Sequence, residues 1–281
     1  GSSAVPILHA IVLGLLQGLT EFLPISSSGH LILVPELFDW TELTRHPSLN
    51  KTFDVALHVG TFVGAGWYFR HDLVRYIAAA WRSLRRRAVR SVDERIAWLL
   101  LISAIPGAIV GAALEGVIED HLGHPVLIGV MLIVFAVVLY FADRLPGPRH
   151  QGDFRLRDAL LMGGAQAVAL QPGVSRSGIT ISMGRWLAFD RTAATRLSFL
   201  MSLPIIAGAG LFEAFEVARD GGIPDNYVAP FLWGMLAAAI SSFVVIALLL
   251  KFLQTHTFTP FVIYRIAAGA AVILVFATGL R

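Results

Sequence analysis

The sequence predicts an all-α integral membrane protein with six transmembrane helices plus two re-entrant helix pairs, its halves related as inverted-topology repeats. Three observations predict it. Of 281 residues, 56% are hydrophobic and 15% charged, with a mean hydropathy of +0.71, whereas soluble domains carry about a quarter charged residues. Apolar runs long enough to cross a hydrocarbon core of about 30 Å recur along the chain. Two further apolar regions are broken in the middle by proline, glycine and serine, as LPISSSGH within 5–38 and QPGVSRSG within 159–189. Cysteine is absent, so disulfide and thiolate chemistry are excluded. Residues 1–281 read as a single transmembrane domain, one repeat at about 5–142 and the other at about 155–281.

Gly1, Ser2 and Ser3 resemble an expression scar, and no basic n-region of a cleavable leader follows, so the first apolar stretch is expected to stay in the mature protein. After the broken region 5–38 come spans at roughly 53–69, 96–114 and 126–142; after the broken region 159–189 come spans at roughly 198–216, 228–250 and 260–280. The linkers alternate in charge. Arg70, Arg75, Arg82, Arg85, Arg86, Arg87, Arg90 and Arg95 crowd one, Arg144, Arg149, Arg155 and Arg157 another, and Lys251 marks a third. Short loops rich in lysine and arginine stay cytoplasmic. Glu115, Glu119, Asp120, Glu213, Glu216, Asp220 and Asp225 mark the alternate, outer linkers. The arginine run suits this anchoring better than a nucleic-acid or anionic-lipid site, so no nucleic-acid partner is expected. Threading the chain accordingly puts both termini and 39–52 outside and 143–157 inside. The first broken segment then dips in from outside and the second from inside, and their tips meet near the midplane.

An ungapped comparison at a separation of 149 residues pairs Gly14 with Gly163, Gln17 with Gln166, Ser26 with Ser175, Ser28 with Ser177 and Gly29 with Gly178. A glycine-alanine-glycine run follows each, at Gly64–Gly66 and Gly208–Gly210. With opposite entry sides this reads as an inverted repeat in which broken helices carry polar backbone to a midplane site. Non-helical backbone is tolerated there only in protein or beside a wet cavity.

At the first tip, Gln17 and Glu21 stand four apart on one helix face and are placed to hydrogen-bond. Glu21 sits in the last turn before Pro24. Ser26, Ser27 and Ser28 fall where a second half-helix begins, and serine is a favoured N-cap; His30 lies within its first turn, where the helix dipole favours neutral imidazole. The second tip starts another half-helix with Ser175, Arg176, Ser177, Gly178 and Thr180. An unpaired arginine in a bilayer costs at least about 2.5–3.5 kcal/mol, so Arg176 requires a partner. Helix N-terminal amides, hydroxyls and one guanidinium form an anion receptor suited to phosphate. A purely structural Glu21–Arg176 ion pair is the competing reading. His9, His46, His58, His71, His121, His124, His150 and His256 lack paired metal spacing and read as surface or structural; Trp40, Trp67, Trp81, Trp98, Trp186 and Trp233 read as an interfacial belt.

The motifs Q17-G-L-T-E-F-L-P-I-S-S-S-G-H30 and Q171-P-G-V-S-R-S-G-I-T-I-S182 resemble those of the undecaprenyl-diphosphate phosphatase family, the bacitracin-resistance proteins, over nearly the whole chain. The resemblance implies a membrane enzyme that removes one phosphate from undecaprenyl diphosphate, a polyprenyl diphosphate lipid, through a site open to the outer face. It implies Glu21, Ser27, His30 and Arg176 as the catalytic set. Gln17, Ser26, Ser28, Gly29, Ser175, Ser177, Gly178 and Thr180 are expected around the substrate. Many family members carry glutamate where this chain has Gln17. With Glu21 the only carboxylate at the tip, Mg²⁺ or Ca²⁺ is expected to be held largely by substrate oxygens. The residues leave the nucleophile open between Ser27, His30 and an activated water, with Ser27 preferred. Type 2 phosphatidic acid phosphatases also use S-R and SGH patterns, but the position of their nucleophilic histidine is Ser182 here. A flippase or anion transporter on the same inverted-repeat plan is the alternative. Gly107, Gly111, Ala112 and Ala113 permit close helix contact, so a homodimer is expected alongside membrane lipids as partners.

Overall fold

A computed structural model of the chain describes residues 5–40, 47–219 and 222–278, without the side chains of 47, 48, 115–121 and 213. The expectations for Gly1–Ser3, His46, Asp220 and the side chains of Glu115, Glu119, Asp120, His121 and Glu213 therefore lie outside the described residues. The helices are α1 (Ile7–Phe22), α2 (Ser27–Leu37), α3 (Pro47–Tyr68), α4 (Arg70–Arg86), α5 (Val92–His121) and α6 (Pro125–Asp143), then α7 (Leu156–Val168), α8 (Arg176–Trp186), α9 (Arg191–Arg219), α10 (Asp225–Phe252) and α11 (Thr259–Ala277). A 3-10 turn at Gln151–Asp153 and an isolated parallel bridge between Arg149 and Phe189 complete the described secondary structure.

Five helices are long and apolar enough to cross a membrane: Val92–Leu114 of α5, then α6, α9, α10 and α11. The sixth expected span, 53–69, falls in α3, whose 22 residues suffice in length. Lys51, Asp54 and His58 make it too polar to meet the same standard. The linker 70–95 is itself largely helical. Most of it is the amphipathic α4, with Val74, Ile77, Trp81 and Leu84 exposed. Arg87 ends α4 in the left-handed conformation, φ 53°. Ser91 and Glu94 then cap α5 reciprocally: the Glu94 amide donates to Ser91 Oγ at 3.2 Å, and the Ser91 amide to Glu94 Oε2 at 3.3 Å.

The breaks share one backbone solution. Ser26 (φ 77°, ψ 99°) and Ser175 (φ 74°, ψ 112°) are the N-caps of α2 and α8. Each Oγ accepts from the glycine amide three residues on, Gly29 at 3.3 Å and Gly178 at 3.1 Å. A positive φ at a non-glycine residue costs about 1–3 kcal/mol and persists only where its surroundings hold it. Here they do: Ser26 Oγ also accepts from the Gly173 amide at 3.1 Å, and Ser177 Oγ donates to the Leu23 carbonyl at 3.0 Å. The tips are thus bonded to one another.

Helix packing follows a matching exchange. α1 and α3 pack on α10, α7 and α9 pack on α5, and α6 packs on α11. Close approach requires glycine at paired positions. A Cβ at Gly14 would stand 2.2 Å from the Gly234 carbonyl, and one at Gly163 would stand 2.4 Å from the Ser103 carbonyl. Gly64 is likewise pressed on Ala239, but Gly208 faces open space, so the two glycine-alanine-glycine runs do different work. The buried core gathers Phe22, Phe199, Leu200, Ile246 and Leu249 beneath the tips, with the Phe22 and Phe199 rings edge-on at 5.0 Å. Large apolar side chains such as Ile109, Phe141, Leu211, Leu248 and Ile263 remain exposed, which suits lipid contact.

Candidate active site

Glu21 ends α1 and is 6% exposed, so its charge must be met by protein. Arg176, the first residue of α8, meets it: Nε and Nη2 donate to Oε1 at 3.2 and 3.1 Å. Its Nη1 donates to the Ser198 carbonyl at 3.1 Å. The other carboxylate oxygen, Oε2, accepts from Ser27 Oγ at 2.6 Å and Gln17 Nε2 at 3.3 Å. Ser27 is the first residue of α2 and stays partly open. Its hydroxyl therefore stands at a helix N-terminus, beside first-turn amides that favour anions. One carboxylate thus orients a hydroxyl with one oxygen and a guanidinium with the other.

His30 is brought close by sequence but turned away. Its Nδ1 bonds the Ser26 carbonyl and its Nε2 the Tyr264 hydroxyl, both at 2.6 Å. Both ring nitrogens are thus engaged, and Ser27 Oγ donates to Glu21 Oε2 instead. Ser175 and Ser177 bond each other at 3.2 Å, and Thr180 Oγ1 bonds Ser198 Oγ at 2.6 Å. These three side chains are buried and shape the tip. Gly178 leaves room for Arg265, whose Nη1 a Cβ there would meet at 2.9 Å. Gly29 brings α2 against Ile128, and Ser28 Oγ lies 3.5 Å from Ser26 Oγ.

Three residues that sequence reasoning did not assign to the site lie against it. His58, grouped above with surface or structural histidines, puts Nε2 3.7 Å from Glu21 Oε2 and is 37% exposed. Tyr264 holds His30. Arg265 is fully buried and donates to the carbonyls of Pro24 at 3.0 Å, Leu132 at 3.1 Å, Gly173 at 2.8 Å and Val174 at 2.9 Å, so one guanidinium ties both tips together. A lone arginine in the apolar run 260–280 was the available signal, since an intramembrane charge requires partners.

The donors present bear on the divalent cation that the resemblance implies. Glu21 offers a carboxylate, and Gln17 Oε1 is buried with no hydrogen-bond partner. Among the described residues no group of three or more histidine, aspartate or glutamate side chains converges on such a site. The pair fits a hard cation that takes its remaining oxygens from substrate and water.

The model of the bacitracin resistance protein BacA family matches residues 10–271. A Geobacter sulfurreducens protein named undecaprenyl-diphosphatase is 48% identical over 269 residues, covering 95% of this chain and 97% of its own. Proteins of the same name from Pelobacter propionicus and Nocardioides sp. are 45% and 46% identical, each match covering 98% of both chains. The tip that joins Glu21, Ser27 and Arg176 lies within the matched residues, and the chain belongs to the bacitracin resistance protein BacA family.

Proposed function

We propose that this chain is a membrane phosphatase that hydrolyses undecaprenyl diphosphate to undecaprenyl phosphate and inorganic phosphate. The relatives' name, undecaprenyl-diphosphatase, supports the reaction, and the 2.6 Å bond from Ser27 Oγ to Glu21 Oε2 carries the reading at the level of chemistry. In this reading Glu21, Ser27, His30 and Arg176 are the catalytic set. Ser27 Oγ attacks the terminal phosphorus, its proton passes to Glu21 and on to the leaving phosphate oxygen, and the lipid monophosphate departs. Water, deprotonated by the Glu21 carboxylate so restored, then attacks the phosphoserine, and the proton returns to Ser27 Oγ as inorganic phosphate is released. Arg176 uses three of its five N–H donors within the protein, and the others serve the phosphate oxygens. With the α2 and α8 N-terminal amides it stabilises charge on the transferring group, where positioning and electrostatics supply most of the catalysis. His30, bonded to Tyr264, braces the tip from which Ser27 attacks. A divalent cation held by Glu21 and Gln17 Oε1 would neutralise phosphate charge when bound.

The finer architecture belongs to the same reading. α1–α2 and α7–α8 are re-entrant pairs, α3 is the sixth crossing, and the halves are inverted repeats within one transmembrane domain. The shared caps Ser26 and Ser175 and the matching exchange of helix contacts support this. The arginine bias supports a site open to the outer face with both termini outside. Gly107 is occupied against Ile205, which leaves the exposed Ala112 and Ala113 as the small-residue contact of a homodimer.

The test is phosphate release from undecaprenyl diphosphate by the purified protein in detergent. Ser27→Ala and Glu21→Gln should each lower release by about 10²-fold or more. Equal release by both variants and the parent overturns the site; no release by any folded form returns the reading to a lipid or anion transporter.

A further inference from the structure

Away from Glu21, a polar cavity of about 700 Å³ opens between the ends of α6, α8 and α10 and the start of α9. Arg144, His150, Arg185 and Arg191 line it together with Asp143 and Asp190. Both acids are already committed. Asp143 accepts from Arg191 Nε at 2.6 Å and from the Phe258 amide at 3.0 Å. Asp190 accepts from the Ala193 amide at 2.7 Å and pairs with His150 Nδ1 at 2.6 Å.

Arg185 is not met in this way. It is 5% exposed and donates only to the carbonyls of Phe189, Asp143 and Leu145, and its buried Nε has no partner. Gly147 is pressed onto this guanidinium, since a Cβ there would stand 2.2 Å from Nη1. The charge is therefore built into the cavity floor. Arg191 and Thr192, which also line the cavity, open the 29-residue α9. Their first-turn amides and the positive helix end add to the same field.

We propose that this cavity is a second anion site, separate from the Glu21 site, that takes the phosphate group of a free inorganic phosphate or of a lipid phosphomonoester. A planar, buried guanidinium, an arginine and a histidine at the rim, and a helix N-terminus match the oxygens of a tetrahedral dianion. The three loops that form it, near Arg144, Asp190 and Gln254, belong to the arginine-rich side of the molecule. The site would therefore face the compartment opposite the hydrolytic centre.

The experiment titrates full-length protein in detergent with inorganic phosphate and, separately, with farnesyl phosphate, by calorimetry. Arg176→Gln serves as the parent, so that the Glu21 site does not contribute. One saturable site should remain in this parent, and adding Arg144→Gln with His150→Gln should weaken it at least about tenfold, with unchanged thermal unfolding. Both of these residues are exposed, and the unfolding measurement checks that loss of the His150–Asp190 and Arg144–Tyr140 contacts leaves the fold intact. Saturation by inorganic phosphate alone identifies the free anion, saturation by farnesyl phosphate alone identifies the lipid phosphomonoester, and saturation by both identifies the shared phosphate group as the recognised element. No saturable binding of either probe, or binding untouched by the paired substitutions, overturns the proposal. The readout is binding and stands whether or not the phosphatase reading holds.

Discussion

Gln17 shows how a single side chain sets chemistry at this site. Its Nε2 donates to Glu21 Oε2 at 3.3 Å, while its Oε1 is buried without a partner. Gln17→Glu would replace a neutral donor with a second carboxylate beside Glu21, drawing a divalent cation to the pair and repelling the first charge when the cation is gone. The expected outcome is phosphate release with a lower half-saturating Mg²⁺ or Ca²⁺ concentration and a sharper loss on chelation, read from a metal titration. Release that ignores metal in both forms would contradict it. The residue types Glu21, Ser27 and Arg176 were legible because each is conspicuous in apolar surroundings. The orientation of His30 was not, because the Tyr264 hydroxyl that accepts or donates at its Nε2 stands 234 residues away. His58 was missed for a related reason: its Nε2 approaches Glu21 across a helix interface, and nothing in its own neighbourhood announces that.

Among the elements, the two breaks and the interfaces beside them carry the fold. Arg265 of α11 spans both breaks, and Arg265→Met would leave the Pro24, Leu132, Gly173 and Val174 carbonyls without their donor in an apolar interior. At a buried acceptor's usual cost, destabilisation of about 3 kcal/mol or more is expected, read as an earlier unfolding midpoint in detergent. An unchanged midpoint would show that the tips hold without it. Glycines on α7 provide an internal contrast. Gly163 is pressed against the Ser103 backbone, whereas Gly164 has nothing within 4 Å of a built Cβ. Gly163→Ala should therefore destabilise by about 1–3 kcal/mol, and Gly164→Ala should be neutral or slightly stabilising through helix propensity. Equal effects would refute the close approach of α7 to α5. That serines begin the half-helix at the first tip was readable from their capping preference, but the bonds from Gly173 to Ser26 and from Ser177 to Leu23 that hold the positive φ of Ser26 and Ser175 were not.

At the scale of the whole molecule, the proposed topology sorts the charged linkers by side. The absence of cysteine permits a clean test, because each engineered thiol is then the only one present. With an impermeant maleimide on intact spheroplasts, Asp225→Cys should label directly and Arg90→Cys only after permeabilisation; both positions are exposed. The reverse pattern would invert the molecule and put the Glu21 site on the other face. Composition and hydrophobic run length by themselves determined the membrane class, and proline, glycine and serine clusters determined where two helices would break, since those effects act within a few residues. Tertiary structure decided the rest. It paired Glu21 with an arginine 155 residues away, threaded Arg265 between the tips, made α3 a polar helix beside the site, and gathered three loops around Arg185. Each of these depends on which buried donor finds which acceptor once helices distant in sequence have packed. A buried polar group must be satisfied by whatever the packing brings within reach.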